Sequence, residues 1–396
     1  MSPLSWLTDS LREFWARGDK LLLALCLAAS GFGLVLIYSA TRWNNDNRSI
    51  IVQAAGIVLG VGVYIALSTV DLELFVDKSW KWLGIFNAGL ILALIPFGWG
   101  GDTTGNRNWI RLPMGLNIQP AEVAKLTFIL LFAWQLARLQ KKGVSKPSSV
   151  FQLAAHTGLM VLLIVGISGD FGMSLVYCFL FVIMCWAAGV KLRWFALGGA
   201  ACAGATALIW PHIKTQYFAK RITVVIDHIT GNMDTIAEQT KGLGWQQTRT
   251  TLAIGSGGLT GQGYLQGIQT QSPYENSLVA RSTDNIFVVC GEEFGMIGCI
   301  LIMLLLVAII ARCVWVARRA PSPMTSLCAM GYAGMLLFQS LLNIGMCLYL
   351  LPVVGLTLPF FSYGGTSIIT MFAAMGAVSS IKTRCLPSWL KDRNRM

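Results

Sequence analysis

Residues 280–311 read ARSTDNIFVVCGEEFGMIGCILIMLLLVAIIA, three carboxylates (Asp284, Glu292 and Glu293) leading into an apolar run. The run is long enough to cross about 30 Å of hydrocarbon, which takes roughly 20 helical residues. Lipid offers no partner for bare peptide groups, so such a run crosses as a helix. Similar runs recur along the chain, which has 396 residues, 55% of them hydrophobic and 12% charged, against about 25% charged in soluble proteins. The fold class that follows is all-α, a polytopic membrane protein of about ten transmembrane helices. They are expected near 21–41, 50–69, 80–98, 121–139, 150–167, 170–189, 195–210, 296–316, 325–348 and 361–382. Residues 1–396 then form a single membrane domain, with a long outer loop, 211–295, between helices seven and eight.

Basic residues set the orientation. Of 30 Lys and Arg, nineteen fall in short segments on the side of the termini and four on the other: Arg42, Arg48, Arg107 and Arg111. Short cytoplasmic loops carry the excess of Lys and Arg, so both termini are expected in the cytoplasm. Loops 99–120, 211–295 and 349–361 then lie outside. The net charge of +12 reads as this topology signal plus attraction to anionic membrane lipids. No basic folded surface is left over for nucleic acid. Residues 1–19 show no cleavage site, and Leu4, Leu7, Leu11, Phe14 and Trp15 have the spacing of an interfacial helix. Residues 383–396 form a basic cytoplasmic tail. The ten cysteines show no Cys-x-x-Cys spacing and read as packing residues. GSGGLTGQG, 255–263, lacks the Lys-Ser/Thr of a phosphate loop, so energy must come from the substrate or an ion gradient.

The outer loops hold the chemistry. In GNRNWIRLPMGLNIQPAEVAKL, Glu122 and Lys125 are three apart, on one helix face about a turn inside the membrane. They either pair there or mark a helix start, with Pro120 in the first turn and Glu122 favoured by the helix dipole. Trp109 has the character of an interface anchor. Asp170, in SGDFG, caps a membrane helix or lines a site. QYFAKRITVVIDHI suits a helix lying on the membrane surface, and the glycines of 255–267 let backbone come close to something. LPVVGLTLPFFSYGGTS, 351–367, is broken backbone near membrane depth. That is tolerated where it lines a cavity or is buried in protein.

Together NWI, QPAEVAK, DFG, GSGGLTGQG, TDNIFVVCGEEFGMIG and NIGMCLYLLPVVGLTLPFFSYGGTS resemble the shape, elongation, division and sporulation (SEDS) proteins, the RodA and FtsW group. The likeness runs from about residue 20 to 382. It implies a peptidoglycan glycosyltransferase of the bacterial cytoplasmic membrane, polymerising lipid II on the outer face beside a class B penicillin-binding protein. It implies Asp284 as the catalytic carboxylate, and Arg107, Trp109, Gln119, Glu122, Lys125, Asp170, Arg221 and Ser362 as substrate-binding positions. The chain departs from the family pattern at Asn108, at Val279-Ala280 and at Asn285. The resemblance requires no cofactor, although a divalent cation, magnesium or manganese, is compatible with it.

One essential acid suits that chemistry. A sugar hydroxyl is a poor nucleophile and gains from a positioned base. Glycosidases need a second acid for their leaving alcohol, but a diphosphate leaves as a stable anion and needs positive charge instead. Lys125, Arg107 and Arg221 are the candidate cations, and Glu292 and Glu293 read as structural, orienting the base or pairing with basic groups of the loop. Two rivals fit the same spans: a lipid II flippase and a non-catalytic scaffold for the penicillin-binding protein.

Overall fold

The computed structural model describes residues 11–384, apart from 13, 45, 101–106, 112–116, 214–216, 232–241, 243 and 275–276. A helix stands at each of the ten expected places. They are α1 (Lys20–Arg42), α2 (Asn47–Thr69), α3 (Leu72–Leu92), α4 (Pro120–Lys142), α5 (Pro147–Leu163, continued by a π turn, Ile164–Ser168), α6 (Phe171–Ala187) and α7 (Leu192–Ile213). After the outer loop, with α8 (Tyr217–Thr230), α9 (Trp245–Gly257) and α10 (Ile286–Glu293), come α11 (Gly295–Arg319), α12 (Pro323–Cys347) and α13 (Gly365–Thr383). Seven of these, among the described residues, are long and apolar enough to cross a membrane: α1 to α5, α11 and α12.

The third span starts earlier than the sequence suggests. Asp71 caps α3, accepting from Leu74 N at 3.1 Å, and the charged residues Glu73, Asp77 and Lys78 belong to the helix. Asp77 accepts from Trp134 Nε1 (2.6 Å) and from Arg138 (3.4 Å) on α4. Residues 98–99, expected at the end of that span, instead open a small antiparallel sheet. It is ordered β1 (Gly98–Trp99), β2 (Trp109–Arg111), β3 (Asn117–Ile118), with Trp99 opposite Trp109 and Ile110 opposite Ile118. Of the interfacial helix expected over 1–19, Leu4 and Leu7 lie outside the described residues. Leu11 and Phe14 to Arg17 are helical, and Phe14 is buried edge-on against Tyr64 at 5.9 Å. Of the basic tail, Cys385 and beyond lie outside the described residues.

Burial separates core helices from lipid-facing ones. The apolar windows of α4 and α12 are 67% and 72% buried, against 22% for α2, α3 and α5, so α4 and α12 form the centre. Between helices the driving force is close packing rather than the hydrophobic effect. In α2, Gly56 and Gly60 are four apart, and a Cβ on them would meet Ile368 and Phe372 of α13 at 2.7 Å. A Cβ on Gly376 would in turn meet the Tyr64 backbone at 2.8 Å. The two helices therefore touch backbone to backbone.

A break separates α10 from the eighth crossing, α11. Phe294 closes α10, and Gly295 (φ 64°) turns the chain into α11. A break leaves carbonyls and N–H groups without intrahelical partners. The glycine run supplies them: Gln262 N and Gly263 N donate to the Glu292 and Glu293 carbonyls, and Met296 N and Ile297 N donate to those of Gly258 and Leu259. Only glycine fits, since a Cβ on Gly257 would lie 1.9 Å from Gly291 O and one on Gly261 2.1 Å from Glu293 O. What the glycines approach is thus the α10–α11 break of their own chain.

Candidate active site

Glu292 and Glu293 end α10 fully buried. Neither pairs with a cation among the described residues. Glu292 accepts from Gln269 N (2.7 Å), Thr270 N (2.8 Å) and Thr270 Oγ1 (2.6 Å). Glu293 accepts from Ser39 Oγ (2.6 Å), Gln271 Nε2 (3.0 Å), Leu265 N (3.2 Å) and Gly267 N (3.4 Å). This corrects the expected pairing with basic loop residues: the two acids hold loop backbone. Arg281 completes the loop from the other side. It is 4% exposed and gives its guanidinium to the carbonyls of Thr270, Ser272, Tyr274 and Leu278, over the Trp43 ring at 4.3 Å.

That loop delivers Asp284. Ala280, in the left-handed region (φ 50°), accepts from Thr283 N and Asn285 N, and Asn285 Nδ2 reaches back to Val279 O at 2.7 Å. The departures from the family pattern at 279–280 and 285 thus make one local turn. The Asp284 carbonyl is held by Asn343 Nδ2 at 2.8 Å. Its carboxylate is half-buried, and no described residue donates a hydrogen bond to it. Burial pushes the carboxyl up to about 6, and the charge of Asp170 adds to the shift. Desolvation of this kind disfavours the charged form.

A strap of irregular backbone, 349–364, gathers the rest. The Leu351 carbonyl takes Gln247 Nε2 of α9 (2.8 Å), and that of Val353 takes Arg221 Nη1 of α8 (2.7 Å). Val354 presses on Gly172, where a Cβ would meet its carbonyl at 2.5 Å. Gly355 (φ 67°) passes the acid, a Cβ there lying 3.7 Å from Asp284 Oδ2. Leu356 O takes the other bond of Asn343, at 2.7 Å. Ser362 is buried, its hydroxyl accepting from Leu358 N and donating to Thr283 O, and Tyr363 N donates to Ser282 O at 2.7 Å. Ser362 therefore braces the backbone beneath Asp284. His228 of α8 stacks on Tyr349 with ring centres 4.0 Å apart.

Across from the strap, Asp170 caps α6, accepting from Met173 N at 2.9 Å. It also ties down the sheet, taking Asn108 Nδ2 (2.9 Å) and Gln119 Nε2 (3.1 Å). Asn108, a departure from the family pattern, holds Asp170 as a neutral donor. Below it Lys125, fully buried, pairs with Glu122 at 3.1 Å, and Gln339 Nε2 reaches Glu122 at 3.4 Å. The ammonium is thus balanced from its own helix and buttresses the site. Trp109 sits in β2, while Arg107 is exposed beside β1. The structure thus brings Gln119, Glu122, Lys125 and Asp170 together, sets Asp284 within the field of Asp170, and ties Arg221 and Ser362 to the same strap. Sequence reasoning missed Gln53, Gln247, Gln339 and Asn343. Their signal was available for three of them: polar side chains inside apolar spans are costly and tend to be functional.

Among the described residues no three His, Cys, Asp or Glu side chains stand together as a metal centre. Magnesium commonly makes do with one or two carboxylates plus substrate phosphates, and Asp170 is one carboxylate of the site, its oxygens accepting from Met173 N, Asn108 and Gln119.

Residues 19–385 match the family model described as cell cycle protein, of FtsW, RodA and SpoVE. A probable peptidoglycan glycosyltransferase FtsW of Geobacter sulfurreducens is 32% identical over 375 residues, 93% of this chain and 96% of that one. Peptidoglycan glycosyltransferase MrdB of Escherichia coli K12 is 28% identical over 381 residues, 94% and 96% of the two chains. Among solved structures, the rod shape determining protein RodA of Thermus thermophilus superposes with a TM-score of 0.63 at 25% identity, covering 94% of this chain and 99% of its own. A chain from a structure on coordination of polymerization and crosslinking by a peptidoglycan synthase complex gives 0.73 at 26%, covering 92% and 97%.

Proposed function

The chain belongs to the FtsW, RodA and SpoVE family of cell-cycle membrane proteins, and from that premise we propose that it is a peptidoglycan glycosyltransferase with Asp284 as its base. It joins lipid II units into β-1,4 glycan on the outer face of the cytoplasmic membrane, with both its termini inside. The observation that carries the assignment of the base is the carboxylate itself. It is half-buried and takes no hydrogen bond from a described residue, while its backbone is fixed by Asn343, Ser362 and the strap.

The step balances simply. Asp284 takes the proton of the 4-hydroxyl of the acceptor N-acetylglucosamine as that oxygen bonds to the anomeric carbon of the donor N-acetylmuramyl unit. The bond from that carbon to the diphosphate breaks, and undecaprenyl diphosphate leaves with the electron pair. Attack opposite the leaving group inverts the centre and gives the β linkage. With Lys125 balanced by Glu122, positive charge for the diphosphate falls to Arg107 and Arg221 at the outer rim. A magnesium or manganese ion held by Asp170 would add to that charge when bound. The partner is a class B penicillin-binding protein, a reading supported by the peptidoglycan synthase complex among the structural relatives.

The test is polymerisation of purified lipid II, supplied from the outer side, by the detergent-solubilised protein. Glycan is expected with or without a partner whose transpeptidase site is dead. No glycan, with lipid II instead moved across liposome membranes, would make the protein a flippase. The pH profile gives a second check. The working form of Asp284 is the carboxylate, and its raised pKa of about 6 means that the rate is full well above pH 6 and half-maximal near it. It falls toward zero as pH drops further. A rate unchanged between pH 5 and 8 would contradict this.

A further inference from the structure

A groove of 680 Å³ runs between α3, α4 and α5, at the end of α4 away from Glu122. Along α4 it spans Leu131 to Lys142, about 16 Å at 1.5 Å per residue, close to half of a roughly 30 Å hydrocarbon core. Its depth is that of one leaflet. Its flanks face lipid, with Ile85 and Leu159 exposed. Gly84 forms a bare trench, since a Cβ there would meet only Leu131 Cδ2, at 3.8 Å. On the wall Gln135 and His156 bond each other at 2.7 Å, leaving the surface around them apolar.

The mouth is basic and aromatic. Trp80 stacks on Trp134 with ring centres 5.0 Å apart, and Arg138 covers Trp134 at 3.8 Å. Asp77 lies there too and takes Arg138 and Trp134 Nε1. Lys81 and Lys142 line the same mouth, and neither has an acid partner among the described residues. Three cations against one acid leave net positive charge where indole rings mark the membrane–water boundary. We propose that this groove binds an anionic diacyl phospholipid of the inner leaflet, its phosphate on Lys81 and Lys142 and one acyl chain laid along Gly84 and Leu131. Charge complementarity selects the occupant. The cytoplasmic leaflet is the one to which the distribution of Lys and Arg assigns this end, and its anionic headgroups are attracted to nearby basic side chains. The site is separate from that of Asp284, at the other end of α4, and does not depend on the glycosyltransferase reading.

Native mass spectrometry of the full chain, stripped in detergent and titrated with phosphatidylglycerol or phosphatidylcholine of the same chain lengths, tests it. One phosphatidylglycerol is expected to remain bound where phosphatidylcholine does not. Lys81→Ala with Lys142→Ala is expected to weaken it about 25-fold, roughly fivefold for each lysine at about 1 kcal/mol. Gly84→Leu fills the trench and is expected to abolish the adduct while the protein elutes and melts as wild type. Equal retention of the two lipids, or of phosphatidylglycerol by wild type and the double lysine variant, would show ordinary boundary lipid and overturn the proposal. So would the absence of any adduct. Should Gly84→Leu misfold, the lysine variant alone decides.

Discussion

Asp284→Asn is expected to leave a well-folded protein that makes no glycan from lipid II. The anchors around this residue are main-chain ones: Asn343 on its carbonyl, Ser362 and Tyr363 on the carbonyls of Thr283 and Ser282. An amide of the same shape leaves all of them in place. The carboxylate itself makes no hydrogen bond with a described residue, and burial penalises its charge, so losing the charge costs the fold nothing. Losing the base costs the reaction about 10²–10⁴-fold. The measurement is the rate of lipid II polymerisation set beside the melting curve, wild type against variant. An unchanged rate would remove Asp284 from the mechanism. A lost rate with a lowered melting temperature would show a structural acid instead.

The second large effect falls on stability. Glu292→Ala and Glu293→Ala are each expected to prevent accumulation of folded protein. Removing Glu292 orphans the buried N–H and hydroxyl of Thr270 and the part-buried N–H of Gln269, and each unsatisfied buried donor costs about 1–3 kcal/mol. Against net stabilities of about 5–15 kcal/mol, a loss of about 3 kcal/mol or more is severe. Glu292→Gln is no rescue, because its amide group would turn N–H toward N–H. The quantity to measure is monodisperse protein recovered from membranes, with the melting midpoint of whatever survives. A Glu292→Ala protein that melts like wild type would show that the loop holds itself without the acid.

The two acids also show where sequence reading stops. The helices were legible as apolar windows, seven of them long and apolar enough to span among the described residues, because 20 apolar residues have few alternatives in a bilayer. Lys125 with Glu122 followed from spacing on one helix face, and the Asp170 cap from its position before a helix. The start of α3 was not legible, because Asp71, Glu73, Asp77 and Lys78 look like loop until Asp71 is seen to cap it and Arg138 to answer Asp77. The α10–α11 break was hidden for a related reason. GEEFG reads as the approach to a span, and only the long-range partners at 258–271 reveal that the glycine run and the two acids are halves of one device. Asn343 stood out as a polar side chain inside an apolar span, but its two acceptors, 59 and 13 residues away, were hidden.

The strap of 349–364 sets a mechanical limit on this enzyme. Between the carbonyl of Val353, gripped by Arg221, and Gly355, beside the acid, lies one residue, Val354, and the two steps of extended chain span about 7 Å. A tilt of the surface helix carrying Arg221 therefore reaches Asp284 over a very short lever, with almost no slack to absorb it. A load placed on α8 from outside would thus be passed to the chain beside the acid, at a distance from the sugar itself.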